Sequence, residues 1–283
     1  MVNRIHDIKG LPNDLLTNEI YNERKLKTDG TPKDFSIEVA LGNVPGFSTA
    51  AVVMNNPSAS NTDFFDVWSG GGNMIMPTTA ETWTIESDSA LDTNITGTGA
   101  WTVIIPSLDI SYVIQTPQVV ALNGLTPVDL TGTHYRTHQL AATSGALVLT
   151  AGSTRKNQGT LTIRDKATGN IRMTIQPLAG KSEDGHITVP AGQTLFTLQE
   201  INPWGKDQSG DINVELTPST PNAATISTGS FPGYQNDLTV VFQAKFKVTE
   251  KTDIIVVAKP LNPNAVVRFV YEFYVIDNAV VGI

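Results

Sequence analysis

From about residue 36 onward, apolar and polar positions alternate with a period of two. In "VVRFVYEFYVI" (266–276), Val267, Phe269, Tyr271, Phe273 and Val275 fall on one side of an extended segment. Val266, Arg268, Val270, Glu272, Tyr274 and Ile276 fall on the other. Both sides are largely apolar, which predicts a strand covered on both faces, between two sheets or between a sheet and a partner subunit. The same period predicts strands over 82–88, 100–108, 112–124, 145–152, 159–165 and 171–180. Further strands follow over 186–189, 193–201, 211–217, 238–248, 252–259 and 266–276. β-Branched and aromatic residues fill them, and Gly, Pro, Asn and Asp separate them. "DKATGN" (165–170) reads as a turn between two strands. No long amphipathic helix intervenes, which argues against a parallel α/β sheet. The expected fold is all-β: one or two antiparallel, jelly-roll-like β-sandwich domains behind an N-terminal arm.

Residues 1–35 break this pattern. "PNDLLTNEIYNERKLK" predicts one short helix capped by Asn13 or Asp14, with Leu15, Leu16 and Ile20 on a shared face. A helix this short is marginal alone in water and needs a surface to lie on. The segment therefore reads either as a frayed terminus or as an arm that docks on a neighbour through Leu15, Leu16, Ile20 and Tyr21. A polar, turn-rich stretch, "LAGKSEDGH" (178–186), suggests a divide. The expected layout is an arm over 1–35, a first β-sandwich over 36–182 and a second over 183–283. The alternative is one large sandwich with interleaved strands.

Charge and cysteine content narrow the function classes. The 283 residues carry 19 basic and 27 acidic groups, for a net charge of -8. Six of each sign lie in the arm, so the excess negative charge belongs to the body. Such a field repels phosphates and disfavours nucleic acid as a partner. The absence of cysteine excludes disulfides and thiolate metal sites. No apolar run approaches the length of a membrane helix, and "MVNRIHDIKG" has no apolar core of the signal-peptide kind.

Few segments look like chemistry. "VWSGGGNM" (67–74) has the glycines of a phosphate loop but no lysine after them, and Pro77 argues against a following helix. Its better reading is a tight turn against the Trp68 ring, with Gly70, Gly71 and Gly72 supplying the backbone freedom and Phe64 and Phe65 joining the cluster. In "HYRTH", His134, Arg136 and His138 alternate, which suits a solvated strand face better than a zinc site, since no third ligand stands nearby. The remaining histidines, His6 and His186, are isolated. Carboxylates occur at turn-like positions, Asp88 and Asp92 in "DSALD" and Glu183 and Asp184 in "SEDG". A glycosidase would need two of them across a cleft. No Gly-x-Ser-x-Gly elbow and no EF-hand pattern occur. Trp83, Trp101, Trp204, Tyr112 and Tyr234 are candidate rings for sugar stacking, but Trp83 and Trp101 sit in strand patterns, where core or interface packing is the default. Trp204, in the polar turn "NPWGKDQSGD", is the strongest contact candidate among the aromatics. No catalytic residue, cofactor or metal is expected.

The ordered series "DVWSGGG" (66–72), "TGTGAWTVII" (96–105), "VVALNGLTPV" (119–128), "NQGTLTIRD" (157–165), "ITVPAGQTLF" (187–196) and "EKTDIIVVA" (250–258) resembles a family of virion structural proteins of tailed bacteriophages. The similarity runs in patches over about 60–277 and leaves out the arm. It implies a β-rich, non-enzymatic particle component, made in the host cytoplasm and released by lysis. The role it suggests is capsid decoration or a head–tail or tail accessory part; attachment through the N-terminal region is read from the distinct arm, which the resemblance does not cover. Its partners would be other virion proteins and further copies of itself, with a trimer as the leading stoichiometry. The alternative is a receptor-binding fibre or tail-tip module that recognises host glycan, and a third reading is a glycan-degrading enzyme. None of the three readings involves nucleic acid or membrane insertion.

Overall fold

A computed structural model describes residues 35–59, 63–137, 147–149, 156–183, 186–202, 209–218, 226–235, 238–241, 247–260 and 265–282. The protein is all-β. Every strand pairing among these residues is antiparallel, and the helices, Phe35–Ala40 and Asn278–Val281, are short.

Two sheets enclose the first core. One runs Phe47–Ala59, Ala265–Asp277, Gln193–Asn202, Leu238–Val241, with Lys247–Val248 also bonded to Gln193–Asn202. The other runs His186–Thr188, Thr252–Pro260, Ser209–Pro218, Ile226–Gln235, with Phe65–Asp66 also bonded to Thr252–Pro260. Val52, Met54, Leu195, Phe273 and Val275 from the first sheet meet Phe65, Ile187, Ile254, Val256 and Ala258 from the second. Alternate residues of each strand point into this layer, as the two-residue period requires.

The strand Ala265–Asp277 is covered on both faces. Phe273 and Val275 enter the inter-sheet core, while Tyr274 packs on the opposite side with Val39 and Val44. The cover there is the helix Phe35–Ala40, at a point where the sequence pattern suggested that extended structure begins. Phe35 and Val39, four residues apart, share one helical face. The Phe35 ring meets Tyr274 edge-on at 5.6 Å and Phe47 at 5.5 Å, and the Tyr274 hydroxyl lies 2.6 Å from Ser36 Oγ.

A second core lies inside the chain. Ile171–Ile175, Leu161–Asp165, Trp83–Ser87 and Val128–Asp129 form one sheet, and Gln118–Ala121, Thr102–Ile105 and Leu147–Leu149 form another. Trp83, Ile85, Leu161, Ile163, Met173 and Ile175 face Val103, Ile105, Val120 and Val148 across it. A two-stranded ribbon, Ser107–Leu108 with Arg136–Thr137, lies beside them. Core membership thus runs outer, inner, outer along the chain, whereas the sequence pattern suggested a single divide near 182. Phe47–Ala59 pairs with Ala265–Asp277 over most of its length, and Phe65–Asp66 pairs with Thr252–Pro260.

The twelve predicted strands all occur, with some shortened. Of 112–124 only Gln118–Ala121 is a strand, because Tyr112 adopts φ +65° in a turn and Pro117 interrupts the run. Phe47–Ala59 and Ile226–Gln235 were not predicted. The second contains two glycines and a proline, which the pattern reads as a turn.

Candidate functional site

Three turns of the inner core, "TGTGA", "LNG" and "NQG", converge on one buried carboxylate. Asp92 is fully buried. Its Oδ1 accepts hydrogen bonds from the main-chain N–H of Ala100 at 2.8 Å and of Gln158 at 2.9 Å. Its Oδ2 accepts from Gly159 N–H at 2.9 Å and Ser87 Oγ–H at 2.7 Å. The Asp92 carbonyl accepts from Gly124 N–H at 2.9 Å. "TGTGA", "NQG" and "LNG" are therefore held to one side chain and its peptide. Two of the glycines are required by space. A Cβ on Gly99 would stand 2.1 Å from Asp92 Oδ1, and one on Gly159 would stand 2.1 Å from Asp88 Oδ1.

Asn157 plays the opposite part nearby. It is fully buried, and its amide donates to the carbonyls of Gly159 at 2.7 Å, Ile175 at 3.1 Å and Gln176 at 2.7 Å. Its own oxygen accepts from Gly180 N–H at 3.2 Å. Gln176 then donates to the Ser69 carbonyl at 2.7 Å, and Ser69 Oγ lies 2.6 Å from Thr174 Oγ1. This chain of bonds ends in the "VWSGGG" corner.

The corner is built around its indole. Trp68 is buried, and its Nε1–H donates to the Gly72 carbonyl at 2.9 Å. Gly71 and Gly72 take φ +72° and +65°, and a Cβ on Gly70 would fall 2.4 Å from the Trp68 ring. Phe65 is buried in the first core, while Phe64 is 39% exposed and stands outside the corner.

The two cores are joined by a polar seam, beside which Leu108, Tyr112 and Tyr135 pack against Ala191. Arg136, from the ribbon, reaches Asp253 of the outer sheet: Nε lies 3.2 Å from both carboxylate oxygens and Nη2 lies 3.1 Å from Oδ2. Nη1 donates to the Pro77 carbonyl at 2.7 Å, and the guanidinium lies 4.0 Å from the centre of the Tyr135 ring. Thr188 Oγ–H donates to Asp253 Oδ1 at 2.6 Å. A second pair, Arg172 and Glu81, is bonded at 2.7 and 2.8 Å, and Arg172 also donates to the Ile75 carbonyl. The crossing segment 74–77 is therefore pinned by two arginines and by Asp66, which accepts from Met74 N–H at 2.5 Å. Burial alone would lower the Arg136 pKa, and the neighbouring Asp253 carboxylate outweighs it and raises the pKa. Burial, with the Asp253 charge, also raises that of Tyr112.

The solvated face expected for "HYRTH" is not what forms. His134 and Arg136 are both buried. Arg136 tolerates burial because Asp253 and three further oxygens receive its protons. His134 stacks on Trp83 at 4.8 Å and lies 2.9 Å from Ser107 Oγ, and burial holds its imidazole below the ordinary pKa. His186 is more extreme. It is buried, its Nε2 lies 3.1 Å from Thr137 Oγ1, and its Nδ1 has no partner. Burial lowers its pKa to about 4; Asp253 opposes that shift and Arg136 adds to it.

A pH dependence follows from His186. Its folded pKa lies below the ordinary value of about 6.5, so the unfolded chain binds the proton more readily. The stability tied to neutral His186 is complete above about pH 6.5 and is lost as pH falls through about 4, a change on the order of 3 kcal/mol. Thermal melts between pH 7 and pH 4 should show this slope in the native chain and a shallower one in His186→Gln. Equal slopes would contradict the assignment.

The other candidates divide clearly. Trp83 is core, and Trp101 is half-buried with its Nε1–H donating to Gly97 O at 2.7 Å. Tyr112 is buried against Tyr135. Asp88 receives Thr160 N–H at 2.7 Å. Leu15, Leu16, Ile20, Tyr21, His6, His138, Asp184 and Trp204 lie outside the described residues, as does the side chain of Tyr234. Asn157 is the residue that sequence reasoning missed, although it heads the "NQG" motif.

No family model matches this chain, and no curated protein matches it. Among solved structures, one described as "Structure of infectious bursal disease virus Gt strain" is 10% identical, over 86% of this chain and 87% of that one, with a TM-score of 0.15. A TM-score that low does not carry fold or function from one chain to the other. Among the described residues no group of three or more His, Asp or Glu is placed to hold a metal ion, and no helix is long and apolar enough to cross a membrane.

Proposed function

We propose that this chain is a non-enzymatic structural component of a tailed-bacteriophage virion, attached through its N-terminal region and present as a homo-oligomer. Its place is on the capsid surface or in the head–tail or tail apparatus, beside other virion proteins. The observation that supports this most is the convergence of three of the six motifs, "TGTGA", "LNG" and "NQG", on Asp92. The residues of these motifs fix the geometry of turns. The same holds for "VPAG" and "EKTD", where Val189 N–H bonds to Thr252 O at 2.9 Å and Lys251 N–H bonds to Val189 O at 2.8 Å. The polar side chains that a reaction would draw on, His134, Arg136, His186 and Asp92, are buried, and Arg136 and Asp92 are taken up in structural bonds to Asp253 and to the turns.

The test is complementation of a phage lacking this gene. Full-length chain supplied in trans should enter the particles. The 35–283 fragment, which keeps Phe35 against Phe47 and Tyr274, should melt as a folded protein and stay out of them. Incorporation of the fragment at the full-length level would overturn attachment through the N-terminal region. Release of reducing ends from host polysaccharide would overturn the non-enzymatic reading.

A further inference from the structure

The strand Phe47–Ala59 is the outer strand of its sheet, hydrogen-bonded on one side to Ala265–Asp277. Its register is continuous from Phe47↔Ile276 to Asn56↔Val267. In an antiparallel pair, successive residues direct their main-chain groups alternately toward the partner and away from it. Two bonds fix the phase here. The Gly46 carbonyl accepts from Asp277 N–H at 2.8 Å, so even-numbered residues face the partner strand. Asn55 N–H donates outward to Glu183 O at 3.3 Å, so odd-numbered residues face away. Phe47 N–H is taken by Val44 O at 3.2 Å. Between these two closures, Thr49, Ala51 and Val53 direct N–H and C=O groups out of the sheet edge, and among the described residues nothing bonds to them.

An open edge of this kind is a template for another strand, and soluble proteins usually guard it with charge, proline or a bulge. None of these guards the window. Residues 47–59 contain no charged side chain, the first proline is Pro57, and the register shift lies beyond Asn56. Ser48, Thr49 and Ala51 are exposed.

We propose that this edge is an interface between two copies of the chain, each contributing the window 49–53 as an antiparallel strand about a two-fold axis at Ala51. The window is symmetric about that residue. Ala51 would lie opposite its copy and Thr49 opposite the second copy's Val53, so every outward donor meets an outward acceptor. Charge decides the occupant. An uncharged strand meets its own copy with no like-charge pair across the ladder. The arm, with six basic and six acidic residues in 1–35, would set charges against a strand that offers none to answer them. The contact is independent of the virion reading and makes pairs, so a three-fold assembly using it as well would hold six copies.

Two variants of the full-length chain test it. Ala51→Pro removes an outward N–H and leaves the bonds to Ala265–Asp277 in place. Sedimentation should show the native chain at an even number of copies and the variant at half that mass. Ala51→Cys adds the chain's first thiol, opposite its copy at a spacing a disulfide can span. Mild oxidation should convert it to a covalent dimer, while Asn73→Cys, at an exposed position elsewhere, should not. A monomeric native chain, or Ala51→Cys cross-linking no faster than Asn73→Cys, would overturn the proposal.

Discussion

Asp92→Asn is expected to destabilise the protein by about 2–4 kcal/mol, although it changes one atom of a buried side chain. The carboxylate accepts four hydrogen bonds and donates none. An amide keeps one accepting oxygen and turns an NH2 toward the other pair of donors. Ser87 can rotate its hydroxyl to accept, but Gly159, Ala100 and Gln158 present fixed N–H groups. Asn157→Asp is the mirror experiment. Its amide donates to three carbonyls, and a carboxylate there would face the Gly159, Ile175 and Gln176 oxygens at 2.7–3.1 Å. A loss of similar size is expected, partly recovered at low pH when the new carboxyl takes up a proton. Either change should lower the melting temperature by roughly 5–15 °C. Unchanged melting in both variants would remove the Asp92–Asn157 network from the account of stability.

Arg136→Met is expected to cost about 3–5 kcal/mol, because it leaves Asp253 charged and buried with Thr188 as its remaining side-chain donor. Asp253→Leu should cost a similar amount by stranding the guanidinium. The double variant should lose clearly less than the sum, since an apolar pair requires no compensation for buried charge. Chemical denaturation of the four proteins measures this. Strictly additive losses would mean that the two side chains do not depend on each other.

The body's extended character was legible because strand periodicity is local. Trp83, Ile85 and Ser87 alternate inward with Thr84 and Glu86 outward, and "TWTIESD" says as much. The "VWSGGG" turn was legible for the same reason, since Trp68 and its glycines are neighbours in sequence. The seam was not. Arg136 and Asp253 stand 117 residues apart, and nothing around "HYRTH" reveals that a carboxylate from the other sheet meets it. Asp92 resembled any turn aspartate, because its donors are mostly main-chain N–H groups up to 67 positions away. The outer–inner–outer order was hidden as well, since pairing of Phe47–Ala59 with Ala265–Asp277 leaves no trace in either segment's composition. The short helix at Phe35 was missed because six residues carry too little periodicity to separate a helix from a strand.

The central claim is that this chain is a built part of a particle. Quantitative mass spectrometry of purified, high-salt-washed virions tests it most directly. The account predicts the protein in every preparation, at a fixed ratio to the major capsid protein that washing does not reduce. Absence from washed particles, or a ratio that varies between preparations, would contradict it.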